Sequence, residues 1–149
     1  MRIEWDKFEL YTQKLLRKIE ADNFKPEVIV AIGLSGFIPA TIVAKALNVK
    51  HIETLSISSY DRKNKRRKSE VTSNRLSSFL TGKKVLCIDD IVSTGETMEL
   101  AKKQVLLFGP KECKFAVPVV SEYVCKKYPD YWGESILRAP DDFISFFWD

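Results

Sequence analysis

The sequence predicts an α/β domain, a mostly parallel sheet flanked by helices. Three observations predict it. Continuous apolar runs (VIVAI at 28–32, VLCI at 85–88, FAVPVV at 115–120) have the character of strands covered on both faces. Stretches of helical periodicity alternate with them, and such alternation gives parallel sheets with right-handed crossovers. Turns rich in Gly, Ser and Thr follow the strands, where ligands of open α/β sheets bind.

Taken in order, Trp5–Asp22 places Trp5, Phe8, Thr12, Leu15, Leu16 and Ile19 at helical spacing, and Asn23 and Pro26 end it. Val28–Ile32 is the first strand and Gly33–Gly36 a turn. Phe37–Leu47 is a helix with Ile38, Ile42, Val43, Ala46 and Leu47 on one side and Pro39 in its first turn. His51–Ser58 reads as a strand by alternation of Ile52, Leu55 and Ile57. Ser59–Ser78 is polar and basic without a usable period, and is expected to be a long flexible loop that ordered strand ends can flank. Lys84–Asp89 is a third strand. Glu96–Phe108 is a helix stopped by Gly109-Pro110, and Lys114–Val120 a fourth strand. The tail, 123–149, is rich in aromatic residues, of which Trp132 and Trp148, with Trp5, are assigned to packing or a subunit interface.

With 149 residues, one domain over 1–149 is the natural count. Charged residues make up 30% and apolar residues 45%, as in ordinary globular proteins. No apolar run reaches the roughly 18–20 residues of a membrane span, and MRIEWDKFEL lacks the apolar stretch of a signal peptide. A cytoplasmic protein is expected. Cys87, Cys113 and Cys125 are too scattered for a zinc site, and Cys87 and Cys113 read as small core residues. The net charge of +4 resides in residues 62–68, RKNKRRK; without those six basic side chains the rest carries −2. A solvated loop, a lid over a polyanionic substrate and a nucleic-acid contact all fit that run, the last least well, because nucleic-acid proteins spread their basic residues over a face.

The chemistry concentrates in Asp89–Thr97, DDIVSTGET. A strand delivers two adjacent acids, a small polar turn follows, and a helix begins. The helix N-terminus offers N–H groups and partial positive charge to a phosphate. Ser93, Thr94 and Thr97 add hydroxyls, and Gly95 permits close approach. The acids would repel phosphate, so ribose hydroxyls and a hydrated Mg²⁺ are their natural partners. No GxxxxGK[ST] or GxGxxG is present. Gly33–Phe37 lacks the last Gly of a nucleophile elbow, and His51, the only histidine, opens a strand as a surface or structural residue.

Val85–Met98, with four apolar residues, two acids, two apolar residues, a small residue and Thr-Gly-x-Thr, resembles the signature of type I phosphoribosyltransferases. Val30–Ala40, VAIGLSGFIPA, is similar to the pyrophosphate loop of the xanthine–guanine branch, and PDYW at 129–132 and the closing FISFFWD resemble that branch's tail. The resemblance implies the family fold with a mobile catalytic loop and a C-terminal hood. It implies a purine phosphoribosyltransferase of nucleotide salvage, a homodimer using Mg²⁺, that moves the ribose phosphate of phosphoribosyl pyrophosphate (PRPP) onto a base. Asp89 and Asp90 would hold the ribose hydroxyls and, through water, the metal; Ile91, Val92, Ser93, Thr94, Gly95, Glu96 and Thr97 would cradle the 5′-phosphate. Leu34, Ser35 and Gly36, with Ser58 and Ser59, would meet the pyrophosphate. Tyr60 would open the catalytic loop and act with Asp89, Asp90 and Ser93, and the basic run inside that loop favours the lid. Val117, Phe143, Ile144 and Ser145 would face the base, Phe143 by stacking.

Five positions depart from the family, four of them by losing charge. Leu34 stands where Arg or Lys is usual, with Ser35 for Gly beside it. Ser93 stands for an acid near the purine N7, Val117 for the Lys that reads a 6-oxo group, and Ser145 for an acid that helps select xanthine or guanine. They leave open which base is used, and they define an alternative: a PRPP- or nucleotide-binding regulator of the same fold, with nucleic acid on the basic loop.

Overall fold

The computed structural model describes residues 1–60, 66–138 and 142–149, the side chains of residues 60, 66 and 67 excepted. The elements run β1 (Arg2–Ile3), α1 (Trp5–Ala21), β2 (Val28–Ile32), α2 (Phe37–Ala46), β3 (Ile52–Tyr60), β4 (Arg66–Asn74), a 3-10 turn (Ser78–Leu80), β5 (Lys84–Ile88), β6 (Ile91–Val92), α3 (Glu96–Leu106), β7 (Glu112–Ser121), β8 (Tyr131–Ile136) and β9 (Ser145–Phe146). The main sheet has the order β4-β3-β2-β5-β7-β6, with β8 on β7, and every pair in it is parallel except β3–β4.

The apolar strands alternate their side chains between two cores. Val28, Val30 and Ile32 join Val85, Cys87, Phe115 and Val117 under Met98, Ala101 and Val105 of α3. Ile29, Ala31, Leu86, Ile88 and Ala116 face the other way, against Leu15 and Ile19 of α1 and Ala40, Val43 and Ala44 of α2. A third, smaller core gathers Ile3, Phe8, Val119 and Phe146, with Trp148 stacked on Phe146 at 4.5 Å. The parallel pair β1–β9 brings the last residues of the chain onto this core.

Strands β5 and β6 form one line. Lys84–Ile88 pairs with Glu112–Ala116 and Ile91–Val92 with Val119–Val120 in the same register. Only Asp89 and Asp90 interrupt it, and Asp89 N–H still reaches Ala116 O at 3.3 Å.

The structure corrects the loop expected over 59–78. Ser59 and Tyr60 belong to β3, Arg66–Asn74 form β4, and Ser78 begins the 3-10 turn; residues 61–65, which include the start of the basic run, lie outside the described ones. The period was hidden because β4 is an edge strand with bulged pairing, so its side chains do not alternate cleanly. The tail also holds more sheet than expected, since β8 pairs with β7 along Ala116–Ser121.

Cys87 is fully buried and Cys113 partly so, both as free thiols with sulfurs 3.9 Å apart. His51 bonds to Glu53 at 2.7 Å and stacks on Phe79, a structural role away from the strand ends that meet the turns. Trp132 lies under Lys18 Nζ at 4.6 Å, and Trp5, half exposed, meets Phe147 edge-on.

Gly133 in β8 is packed so tightly on α1 that a Cβ would lie 2.0 Å from Tyr11 O and 2.6 Å from Pro118 O. Both are backbone atoms, so neither can turn aside. Gly133→Ala is expected to cost about 3 kcal/mol, seen in thermal melts as a fall of about 6–12 °C.

Candidate functional site

A cavity of about 940 Å³ opens at the carboxyl ends of β2, β3, β5 and β7. Three turns and the closing segment meet there, because in a parallel sheet all strands deliver their following turns to one edge.

Asp89 and Asp90 form its floor. Their carboxyls are half-buried on the cavity side and otherwise enclosed by protein. Asp90 N–H donates to Asp89 Oδ1 at 2.8 Å. Burial pushes the Asp89 carboxyl well above the usual range, and the neighbouring Asp90 charge adds to this. Burial also raises Asp90, to about 6, against hydrogen bonds from Asp89 and the backbone that favour its charge; Asp149 adds repulsion. Two adjacent acids held away from bulk water call for hydroxyl donors or a cation.

Ile91–Thr97 form the next wall. Gly95, at φ +95°, is the N-cap of α3, in the left-handed region where glycine is favoured. A Cβ there would also lie 3.1 Å from Lys127 O. The turn therefore closes tightly and aims the first N–H groups of α3 at the cavity edge. Thr97 Oγ1 meets Ser69 Oγ of β4 at 3.0 Å.

Opposite stand Leu34 and Ser35, with Ser58 and Ser59 at the end of β3. Leu34 is 86% exposed, an apolar side chain on the rim. Gly36 does not line the cavity. Its N–H bonds back to Ile32 O at 3.2 Å, and a Cβ would fall 2.2 Å from that oxygen, so its role is to close the turn. Phe143, 64% exposed, and Ile144 form the far side.

Two expected base contacts are not there. Val117 is fully buried beneath α3, because alternation along β7 turns its side chain into the core. Ser145 pairs with Arg2 in the β1–β9 ladder and lies off the cavity. Tyr60's side chain falls outside the described residues. Ser121, Val124, Asp142, Phe146 and Asp149 line the cavity without having been foreseen. Ser121 ends β7, so the strand-end rule extended to the fourth strand finds it. Nothing local marks Asp142 or Asp149, which the fold of the tail brings in. Among the described residues, no three His, Cys, Asp or Glu side chains converge as a direct metal site.

The phosphoribosyl transferase domain family matches residues 4–149. The chain belongs to that family. Among its relatives, a xanthine-guanine phosphoribosyltransferase of Desulfotalea psychrophila is 34% identical, covering 93% of this chain and 89% of the relative. One of Idiomarina loihiensis is 28% identical over 99% of this chain and 85% of its own. A crystal structure of a purine phosphoribosyltransferase from Pyrococcus horikoshii superimposes with a TM-score of 0.81 at 25% identity, covering 100% of this chain and 93% of that one. The family's mostly parallel sheet is the sheet described above, and the relatives belong to its purine branch.

For this phosphoribosyltransferase, the raised acids fix a sign. A carboxyl whose folded pKa exceeds its unfolded one contributes stability that is fully present below the unfolded value near 4 and is lost as pH rises through about 6. In metal-free buffer, Asp90→Asn is expected to melt a few degrees above wild type at pH 7.5 and level with it near pH 4. Calorimetry across that range checks it.

Proposed function

We propose that this chain is a purine phosphoribosyltransferase of nucleotide salvage, transferring the phosphoribosyl group of PRPP to a purine base with release of pyrophosphate. The observation that carries the reading is the acid pair pinned in the central strand line beside the N-terminus of α3, on the floor of one cavity. The names of the full-length relatives support the purine class.

In this reading Asp89 and Asp90 accept hydrogen bonds from the ribose 2′ and 3′ hydroxyls. The turn 93–97 and the first N–H groups of α3 hold the 5′-phosphate. These contacts fix C1 for displacement by a ring nitrogen of the base, and positioning supplies much of the rate. Ser93 faces the reacting centre from the phosphate turn, and Tyr60 begins the loop that closes over it. Leu34 and Ser35 present backbone, with Ser58 and Ser59, to the pyrophosphate as it leaves. Phe143 offers a stacking face to the base and Ile144 its backbone. With no Lys at 117 and Ser145 turned away, neither position reads a 6-oxo group.

Mg²⁺ fits the acid pair. Asp89, Asp90, Asp142 and Asp149 all line the cavity, and of these Asp142 is already paired with Arg138. A cation near Asp89 and Asp90, held largely through water, would relieve the repulsion and burial that raise them. When bound, it would supply positive charge to offset that of the pyrophosphate oxygens.

The reading further has one domain over 1–149, working as a homodimer in the cytoplasm, with the basic run 62–68 as a lid and no nucleic-acid partner. Among the described residues no helix is long and apolar enough to cross a membrane. The intact acid pair and phosphate turn do not favour a regulator without turnover.

PRPP and Mg²⁺ are to be incubated with guanine, xanthine, hypoxanthine or adenine while pyrophosphate release is followed. Turnover with at least one base is expected. No turnover with any, alongside measurable PRPP binding, would contradict the transferase. Asp89→Asn combined with Asp90→Asn is expected to lower kcat/KM by about 100-fold or more, the scale of losing a charged contact to the transition state.

A further inference from the structure

We propose that Ser69 is a positioning residue for the 5′-phosphate, acting through the hydroxyl of Thr97. The inference rests on the phosphate site argued above and extends it to a strand outside the family signature.

Ser69 is one of the few buried polar residues among the described ones, and it does not line the cavity. Buried hydroxyls need partners. Ser69 Oγ has Thr97 Oγ1 at 3.0 Å. Either oxygen can be the donor while the cavity is empty. Phosphate removes that freedom, because its oxygens at neutral pH chiefly accept. If Thr97 donates outward to phosphate, it must accept from the strand behind it, and Ser69 is the residue there. Ser69 O–H to Thr97 Oγ1, then Thr97 O–H to phosphate, is the one order that uses both protons. A chain of donors in a partly enclosed site polarises along its length and strengthens the outer bond.

The other helical threonines show what Thr97 lacks. Thr12 and Thr41 each send their hydroxyl to the carbonyl four residues back, Phe8 and Phe37, at 2.8 Å. Thr97 sits in the first turn of α3, where the residue four back, Ser93, precedes the helix. Its hydroxyl is held from outside instead, by Ser69. A second tie between the same elements, Asn74 Nδ2 to Gln104 Oε1 at 3.4 Å, lies two turns along α3 and away from the cavity. It makes a control for a merely structural seating of β4 on α3.

The test measures the Kd of ribose 5-phosphate by calorimetry, with KM for PRPP and kcat alongside, in wild type, Ser69→Ala, Ser69→Thr, Thr97→Ala, the Ser69→Ala/Thr97→Ala double variant and Asn74→Ala. Ser69→Ala is expected to weaken ribose 5-phosphate and raise KM about 5- to 10-fold, the worth of one hydrogen bond between neutral hydroxyls, with kcat within about two-fold. Ser69→Thr is expected to restore binding. The double variant should be no weaker than Thr97→Ala alone, because two residues in one relay are not additive. Asn74→Ala should bind as wild type. Wild-type affinity in Ser69→Ala while Thr97→Ala is weakened would overturn the relay and leave the phosphate site standing. Equal losses in Ser69→Ala and Asn74→Ala would overturn it too, in favour of simple seating. Failure of wild type itself to bind ribose 5-phosphate would overturn both the relay and the phosphoribosyl site.

Discussion

The constraint on which the rest depends is the single register that β5 and β6 keep along β7. Lys84–Val92 runs beside Glu112–Val120 without a shift, and the chain leaves the ladder only at Asp89 and Asp90. The acids are thereby held between two paired stretches, as fixed as the sheet. Everything after them inherits that placement. Val92 is buried, Gly95 turns the chain through a left-handed conformation, and α3 starts with its N-terminus beside the carboxyls. A site that must hold negative phosphate and ribose hydroxyls a few ångströms apart needs this juxtaposition of a positive helix end and an acid pair.

The placement has a cost in stability. Burial pushes both carboxyls up in pKa; the charge of Asp90 raises Asp89 further, and that of Asp149 raises Asp90. Polar or charged groups left short of partners are expected where function demands them and are offset elsewhere in the fold. Here the offset is two apolar cores on either face of a sheet whose central strand β2 is fully buried.

Much of this was legible in the sequence, for a physical reason. Strands buried on both faces appear as unbroken apolar runs, so β2, β5 and β7 stood out, and the helices that cover them kept a 3.6-residue period. The Asp-Asp turn was legible because strand, acids, small residues and helix are contiguous. What escaped was set by tertiary structure. The polar edge strand β4 has no period because of its bulges and its solvent-facing side. β8 takes its place through pairing with β7. Val117 matches a base-reading position in the aligned motif, yet strand alternation buries it. Asp142 and Asp149 reach the cavity only because the β1–β9 pair and the third core fold the tail back.

The central claim, that one short segment holds both the sugar and its phosphate, is tested most directly by a crystal structure with ribose 5-phosphate or a purine nucleoside 5′-monophosphate. The account predicts phosphate oxygens within hydrogen-bond distance of the N–H groups of Thr94–Thr97, and the ribose 2′ and 3′ hydroxyls on Asp89 and Asp90. Phosphate bound instead at Leu34–Ser35 or on the basic hairpin, with the acid pair untouched by the sugar, would contradict it.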